Sequence, residues 1–170
     1  AGIKTYGEVI HTFVSRTGEF ALPNIKKGGV LLPGFETMDH PLNQYNEEHP
    51  CGLKFLDHCV GNVELGGMDR TVDWYEKVLE FSMFKHFDDE DISTEYSALM
   101  SKVMSSGGGL IKFPINEPAE GKRKSQIQEY LDWHSDTPGI QHLAFRTDDA
   151  IQSIAELRRR GVNFLKIPEA

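Results

Sequence analysis

An α+β fold assembled from βαβββ modules, the second of them incomplete, is what this 170-residue sequence predicts. Three observations carry the prediction. From Leu53 onward the patterning runs strand, helix, strand, strand, strand. The segment Phe55-Leu-Asp-His-Cys-Val60, followed by a helix and a strand, returns as Gly139-Ile-Gln-His-Leu-Ala144 with the same sequel, so that His58 and His142 occupy the same place in two repeats. The second copy stops at Pro168-Glu-Ala170, before its last strands. A repeat cut there leaves an open sheet edge, and the chain is expected to be a segment of something longer.

Taken in order, residues 3–14 are rich in β-branched and aromatic types and read as a strand. Residues 1–14 are assigned to the end of an N-terminal module. Residues 15–52, with Pro23, Pro33, Pro41, Pro50 and Gly28-Gly29, read as a long linker. Residues 53–118 form the first βαβββ module. Phe55 to Val63 is its first strand, and Met68, Val72, Tyr75 and Leu79 share one helix face. Ser82 to Phe87, Thr94 to Met104 and Leu110 to Ile115 are strands, the last two joined by a hairpin at Gly107-Gly-Gly109. Residues 119–138 hold a connecting helix, opened by Ser125 with Gln128 at capping-box spacing. Residues 139–170 begin the second module, with a strand over Gly139–Arg146. Thr147 or Asp148 caps the following helix, Gly161 ends it after Arg158-Arg-Arg160, and a strand starts at Asn163.

Charge and composition narrow the function. Eighteen Lys and Arg against 26 Asp and Glu leave a net charge of −8, which argues against a nucleic-acid groove, since that needs a basic stripe to release counterions. No apolar run approaches the roughly 20 residues that cross a bilayer, and Ala1–Tyr6 lack the blocks of a signal peptide. Two cysteines, Cys51 and Cys59, point to a reducing compartment, hence the cytoplasm. Gly107–Gly109 lacks the Gly-Lys-Ser/Thr of a phosphate loop, and no Gly-x-Ser-x-Gly elbow is present.

Of seven histidines, most read as solvated or as satisfied in the core. His58 and His142 differ because each sits mid-strand in an apolar run at equivalent repeat positions. Two histidines with one carboxylate make the facial triad of non-heme iron oxygenases, but two ligands alone leave a shared metal and a pair of core imidazoles both open. No carboxylate within the chain offers itself as the third ligand: Asp57 alternates to the opposite face from His58, Asp148 reads as a helix cap, and Glu169 lies in the tail. Cys59 faces away from His58 and reads as core.

Several long motifs, in order, resemble the 4-hydroxyphenylpyruvate dioxygenase family: Leu56-Asp-His-Cys-Val-Gly-Asn-Val63, Thr94-Glu-Tyr-Ser-Ala-Leu99, Lys112-Phe-Pro-Ile-Asn-Glu-Pro118, Lys122-Arg-Lys-Ser-Gln-Ile-Gln-Glu-Tyr-Leu131 and Gly139-Ile-Gln-His142. Thr5-Tyr-Gly7 and His11-Thr-Phe-Val14 resemble the last strand of that family's N-terminal module. The resemblance implies the vicinal-oxygen-chelate fold, shared with glyoxalase and bleomycin-resistance proteins. It implies an Fe(II)-dependent dioxygenase of tyrosine and phenylalanine catabolism that converts 4-hydroxyphenylpyruvate and O2 to homogentisate and CO2. His58 and His142 would be Fe(II) ligands, with the third, a glutamate, beyond residue 170. Val60, Ser101, Asn116, Gln126 and Gln141 would line the substrate pocket, with Asn116 and Gln141 also in catalytic roles. The partners implied are a 2-oxo acid, O2 and further copies of the chain in a dimer or tetramer. Two alternatives remain: 4-hydroxymandelate synthase, and a non-catalytic module of the same fold that binds small aromatics.

Overall fold

Alternation with a period of two residues divides the central sheet into a face that packs on a helix and a face that borders a cavity. In a computed structural model, residues 1–87, 99–119 and 124–165 are described, the side chains of residues 85–87 excepted. The sheet strands are β3 (Leu53–Asn62), β4 (Ser82–Phe87), β5 (Leu99–Ser105), β6 (Lys112–Pro118) and β7 (Gly139–Thr147). They lie in the order β4-β5-β6-β3-β7. β4–β5 and β5–β6 are antiparallel, whereas β3 and β6 run parallel with Gly61 opposite Ile115 and Asn62 opposite Asn116. The order β3, helix, β4, β5, β6 is the βαβββ module that the patterning predicts.

The helix after β3, α3 (Met68–Leu79), buries Met68, Thr71, Val72 and Tyr75, the stripe expected from its apolar spacing. Its N-cap, Gly67, has no side chain to offer. Glu117 on β6 takes over, its buried carboxylate accepting the Met68 N–H at 3.1 Å. An anion at a helix N-terminus satisfies an orphan donor and complements the dipole. Tyr75, Val63, Met68, Val72, Met104 and Ile115 form the core together with Tyr6. Tyr75 is fully buried, and its hydroxyl pairs with His11 Nε2 at 2.7 Å.

Packing separates two compact units. One contains residues 2–11 and 55–146, hence the module above and α4 (Gln126–Trp133). Ser125 caps α4 by accepting the Gln128 N–H at 3.1 Å, and Ile127 and Leu131 are its buried face. The other unit contains Ala1, Thr12–Lys54 and the chain from Thr147, with α1 (Leu22–Ile25), α2 (Pro41–Glu48) and α5 (Ala150–Arg159). There the buried Glu156 pairs with Arg160 at 3.0 Å, and Arg160 donates to Asn46 Oδ1 at 2.6 Å and to the carbonyl of His49. Arg160 thereby ties α5 to the end of α2.

Four expectations change. Residues 3–14 are not one strand: β1 (Gly2–Lys4) and β2 (Ile10–Thr12) form a hairpin that turns through Gly7, whose φ is +52°. Glycine adopts that left-handed φ without strain. The stretch read as a linker carries α1 and α2. The α5 cap is Asp149, which accepts the Gln152 N–H at 2.9 Å, while Asp148 pairs with Lys54 at 3.2 Å. Asn163–Leu165 form no strand, and residues 94–98 and 166–170, parts of two expected strands, lie outside the described residues.

A Cβ on Gly61 would lie 2.0 Å from Tyr6 Oη and 2.5 Å from the ring carbon that carries it. Gly61→Ala is expected to cost about 1–3 kcal/mol through overpacking, read as a lower urea midpoint, and Tyr6→Leu in that background should recover part of the loss. An unchanged midpoint would contradict this packing. Burial also lowers the His11 pKa. The folded state therefore disfavours the charged ring, so this contribution to stability is present above the unfolded value of about 6.5 and fades as pH falls below it. In a series of thermal melts, His11→Gln should flatten the decline of Tm on acidification below that value.

Candidate active site

On the sheet face opposite α3, β3 presents His58 and Val60, β5 presents Leu99, Ser101 and Val103, and β6 presents Lys112, Pro114 and Asn116. With Phe84 on β4 and His142 on β7 these residues line a cavity of about 380 Å³. Most of the wall is apolar. The exceptions are an imidazole pair beside a charged pair, and a short polar row formed by Ser101 and Asn116, which are Cα partners across β5 and β6. Both members of the row are buried.

The imidazoles belong to equivalent strands of the repeat. Their ring centroids are 6.1 Å apart at an interplanar angle of 70°. His58 Nδ1 lies 2.8 Å from Asp57 Oδ1, and His142 Nδ1 lies 2.8 Å from Gln141 Oε1. Both partners are acceptors, so each ring directs an Nδ1–H at its neighbour. Metal-ligating histidines are oriented in this way. Burial, and secondarily the neighbouring His58, lowers the His142 pKa. That shift favours the neutral form a metal requires. Two imidazoles bound through nitrogens about 2.1 Å from one ion have centroids roughly 5 Å apart when cis and roughly 6.5 Å apart when opposite, and the observed separation of 6.1 Å lies between the two. The donor chemistry of the two imidazoles suits a divalent ion. Among the described residues, no group of three His, Cys, Asp or Glu side chains converges into a complete site.

Asp57 departs from the expectation that it faces away from His58. Its carboxylate turns to the cavity side, bonding His58 Nδ1 and accepting from Lys112 Nζ at 2.9 Å. The parallel register of β3 with β6 runs through Gly61 and Asn62. Asp57 lies upstream of it, so a half-buried side chain there is free to follow its charge partners. His58 first, and then Lys112, hold its carboxyl below the usual carboxylate range.

His58, Val60, Ser101, Asn116 and His142 thus share the cavity. Gln141 reaches it through the His142 ring. Gln126 does not line it: as the first residue of α4 it is exposed, and the capping role falls to its neighbour Ser125. Lys112 and Asn62 escaped the sequence reading. Lys112 opens the Lys-Phe-Pro-Ile-Asn-Glu-Pro motif, and a period-two count back from Asn116 places it on the same face. Asn62 sits two residues beyond Val60 by the same count.

A family model described as "Glyoxalase/Bleomycin resistance protein/Dioxygenase superfamily" matches residues 55–170. Among curated proteins, the 4-hydroxyphenylpyruvate dioxygenase of Tetrahymena thermophila is 48% identical over 99% of this chain and 39% of its own length. That of Coccidioides posadasii is 44% identical over 99% of this chain and 40% of its own length. The chain therefore spans about 40% of the length of these relatives. Among solved structures, a triple mutant of 4-hydroxymandelate synthase from Streptomyces coelicolor superposes with a TM-score of 0.69 at 29% identity, covering 99% of this chain and 45% of that one.

Asp57→Ala removes the acceptor that orients His58. Loss of such an outer partner typically costs 10–100-fold in metal affinity, and a loss of that size is expected when a divalent metal ion is titrated into the whole protein, if His58 is a ligand. Unchanged affinity would mean that His58 needs no orientation by Asp57.

Proposed function

The chain belongs to the Glyoxalase/Bleomycin resistance protein/Dioxygenase superfamily, and from that premise we propose that it is the part of a 4-hydroxyphenylpyruvate dioxygenase that supplies two metal ligands and one wall of the substrate pocket. The observation that carries the reading is a pair of imidazoles, each with Nδ1 engaged by its neighbour in sequence, set in an apolar cavity that also holds a buried Ser-Asn row. A 2-oxo acid with a phenol ring needs such a place: a cation for the oxo acid, apolar walls for the ring and a few placed polar atoms.

In this reading His58 and His142 hold Fe(II), and a third ligand comes from a glutamate outside this chain. When bound, the metal supplies the oxygen chemistry of decarboxylation and hydroxylation. The chain's own residues do the rest. Val60, Leu99, Val103 and Pro114 keep water from the ring. Asn116 and Ser101 orient the ring through its polar substituent, and Gln141 fixes the tautomer of His142. Lys112 is held by Asp57 at the histidine end of the cavity, where a substrate carboxylate would meet its charge. Gln126, exposed at the start of α4, is assigned to the substrate on resemblance alone.

Benzylic hydroxylation, the 4-hydroxymandelate synthase reaction, is the second reading, favoured by the superposition with that enzyme. Pro114 and Asn116 in the wall favour the ring carbon, because pocket shape decides which carbon meets the oxidant. Product analysis separates the two readings. The whole protein, loaded with Fe(II) and given 4-hydroxyphenylpyruvate and O2, should release homogentisate and CO2; hydroxymandelate would establish the second reading, and no oxygen-dependent product would sink both.

Asn116→Ala should leave iron content intact and lower turnover by about a hundredfold, the cost of displacing a reacting atom by about 1 Å. Iron analysis beside a rate assay checks both halves. Loss of iron would place Asn116 in support of the metal instead.

A further inference from the structure

Across β6 from Ser101 lies a third member of the buried polar row. Asn62 is the Cα partner of Asn116 on the β3 side, as Ser101 is on the β5 side. It shares the strand face of His58 and Val60, but it is fully buried and does not line the cavity. The backbone already ties the two strands at this point, because Val63 N–H donates to the Asn116 carbonyl at 2.9 Å. The side chains add a second tie: Asn116 Nδ2 donates to Asn62 Oδ1 at 3.4 Å. The first bond places the Asn116 Cα, and the second sets the rotation of its amide.

That rotation has a chemical consequence. An amide offers a donor on one side and an acceptor on the other. With Nδ2 committed to Asn62, Oδ1, an acceptor, is the atom of the Asn116 amide left over from that bond. Asn62 is not there to satisfy its own needs, since its Nδ2 is buried without a partner among the described residues. Buried polar groups are paired in the great majority of cases, and an orphan calls for an explanation other than packing. Here the orphan belongs to the residue whose other amide atom holds a cavity side chain.

We propose that Asn62 is a positioning residue that fixes the Asn116 amide with its oxygen facing the cavity, so that the site selects ligands bearing a hydrogen-bond donor, a ring hydroxyl, at that point. The proposal rests on the functional reading above and adds to it the group that sets the polarity of the phenol end.

The test uses the whole protein, Fe(II)-loaded and anaerobic so that binding is read without turnover. The probes are 4-hydroxyphenylpyruvate and phenylpyruvate, which differ only in the ring hydroxyl. Asn62→Leu keeps the shape and removes the acceptor; Asn62→Asp keeps shape and acceptor. The preference for the hydroxylated probe should fall about tenfold in Asn62→Leu and survive within about threefold in Asn62→Asp. In an Asn116→Ala background, Asn62→Leu should change the preference no further. Preference retained in a folded Asn62→Leu protein, or an equal effect of Asn62→Leu with and without Asn116, would overturn the proposal. Should Asn62→Leu fail to fold, Asn62→Ser, whose hydroxyl is too short to meet Asn116, takes its place with the same expectation.

A ligand-free readout separates this proposal from the functional reading. In the whole protein labelled with ¹⁵N at asparagine side chains, the Asn116 amide protons should shift in Asn62→Leu and stay near the parent position in Asn62→Asp. Equal spectra for parent and Asn62→Leu would overturn the positioning role by itself. A parent protein that binds neither probe while the Asn116 signal still responds to Asn62 would sink the functional reading and leave the positioning role standing.

Discussion

The parallel junction between β3 and β6 is the constraint on which the site depends. Gly61 faces Ile115 and Asn62 faces Asn116 across it. Because successive side chains alternate, that single register sends Ile115 into the core with Val63 and sends Asn116 to the cavity with Val60 and His58. A slip of one residue would exchange the two sets, exposing core to cavity and burying the polar row against α3. Gly61 holds the register from the other side: Tyr6 lies so close over it that no side chain fits. The N-terminal hairpin therefore helps to place the histidine strand, although none of its residues lines the cavity.

Glu117 shows the same alternation at work. It follows Asn116 on β6, points to the helix side, and caps α3 from across the sheet. One strand, Lys112–Pro118, thus provides a charge partner for Asp57, the apolar wall at Pro114, the polar atom at Asn116 and the cap of the packing helix. Fold and site cannot be varied separately along it.

Much of this was legible in the sequence because it rests on periodicity. The α3 stripe, the βαβββ order and the equivalence of His58 with His142 all follow from spacing, and the two histidines do line one cavity. What the sequence hid depends on interactions across the fold or on single backbone angles. Gly7 turns a β-rich stretch into a hairpin through one left-handed φ, which composition does not reveal. Alternation alone sends Asp57 away from His58, but His58 and Lys112 hold its carboxylate on the cavity side, a pull visible only once β6 lies beside β3. Asp149 rather than Asp148 caps α5 because Lys54 claims Asp148. Asn62 reads as an ordinary strand end until its register with Asn116 is known. Gln126 shows the converse, a residue assigned to the pocket by motif that stands at an exposed helix start and does not line the cavity.

The two imidazoles carry the proposed chemistry, and each is held by its neighbour in sequence, Asp57 for one and Gln141 for the other. X-ray absorption spectroscopy of the Fe(II)-loaded whole protein tests this most directly. The account predicts scattering from two imidazoles on one iron, falling to one in either His58→Ala or His142→Ala protein that still holds metal. Two imidazoles persisting after either substitution, or fewer than two in the unaltered protein, would contradict it.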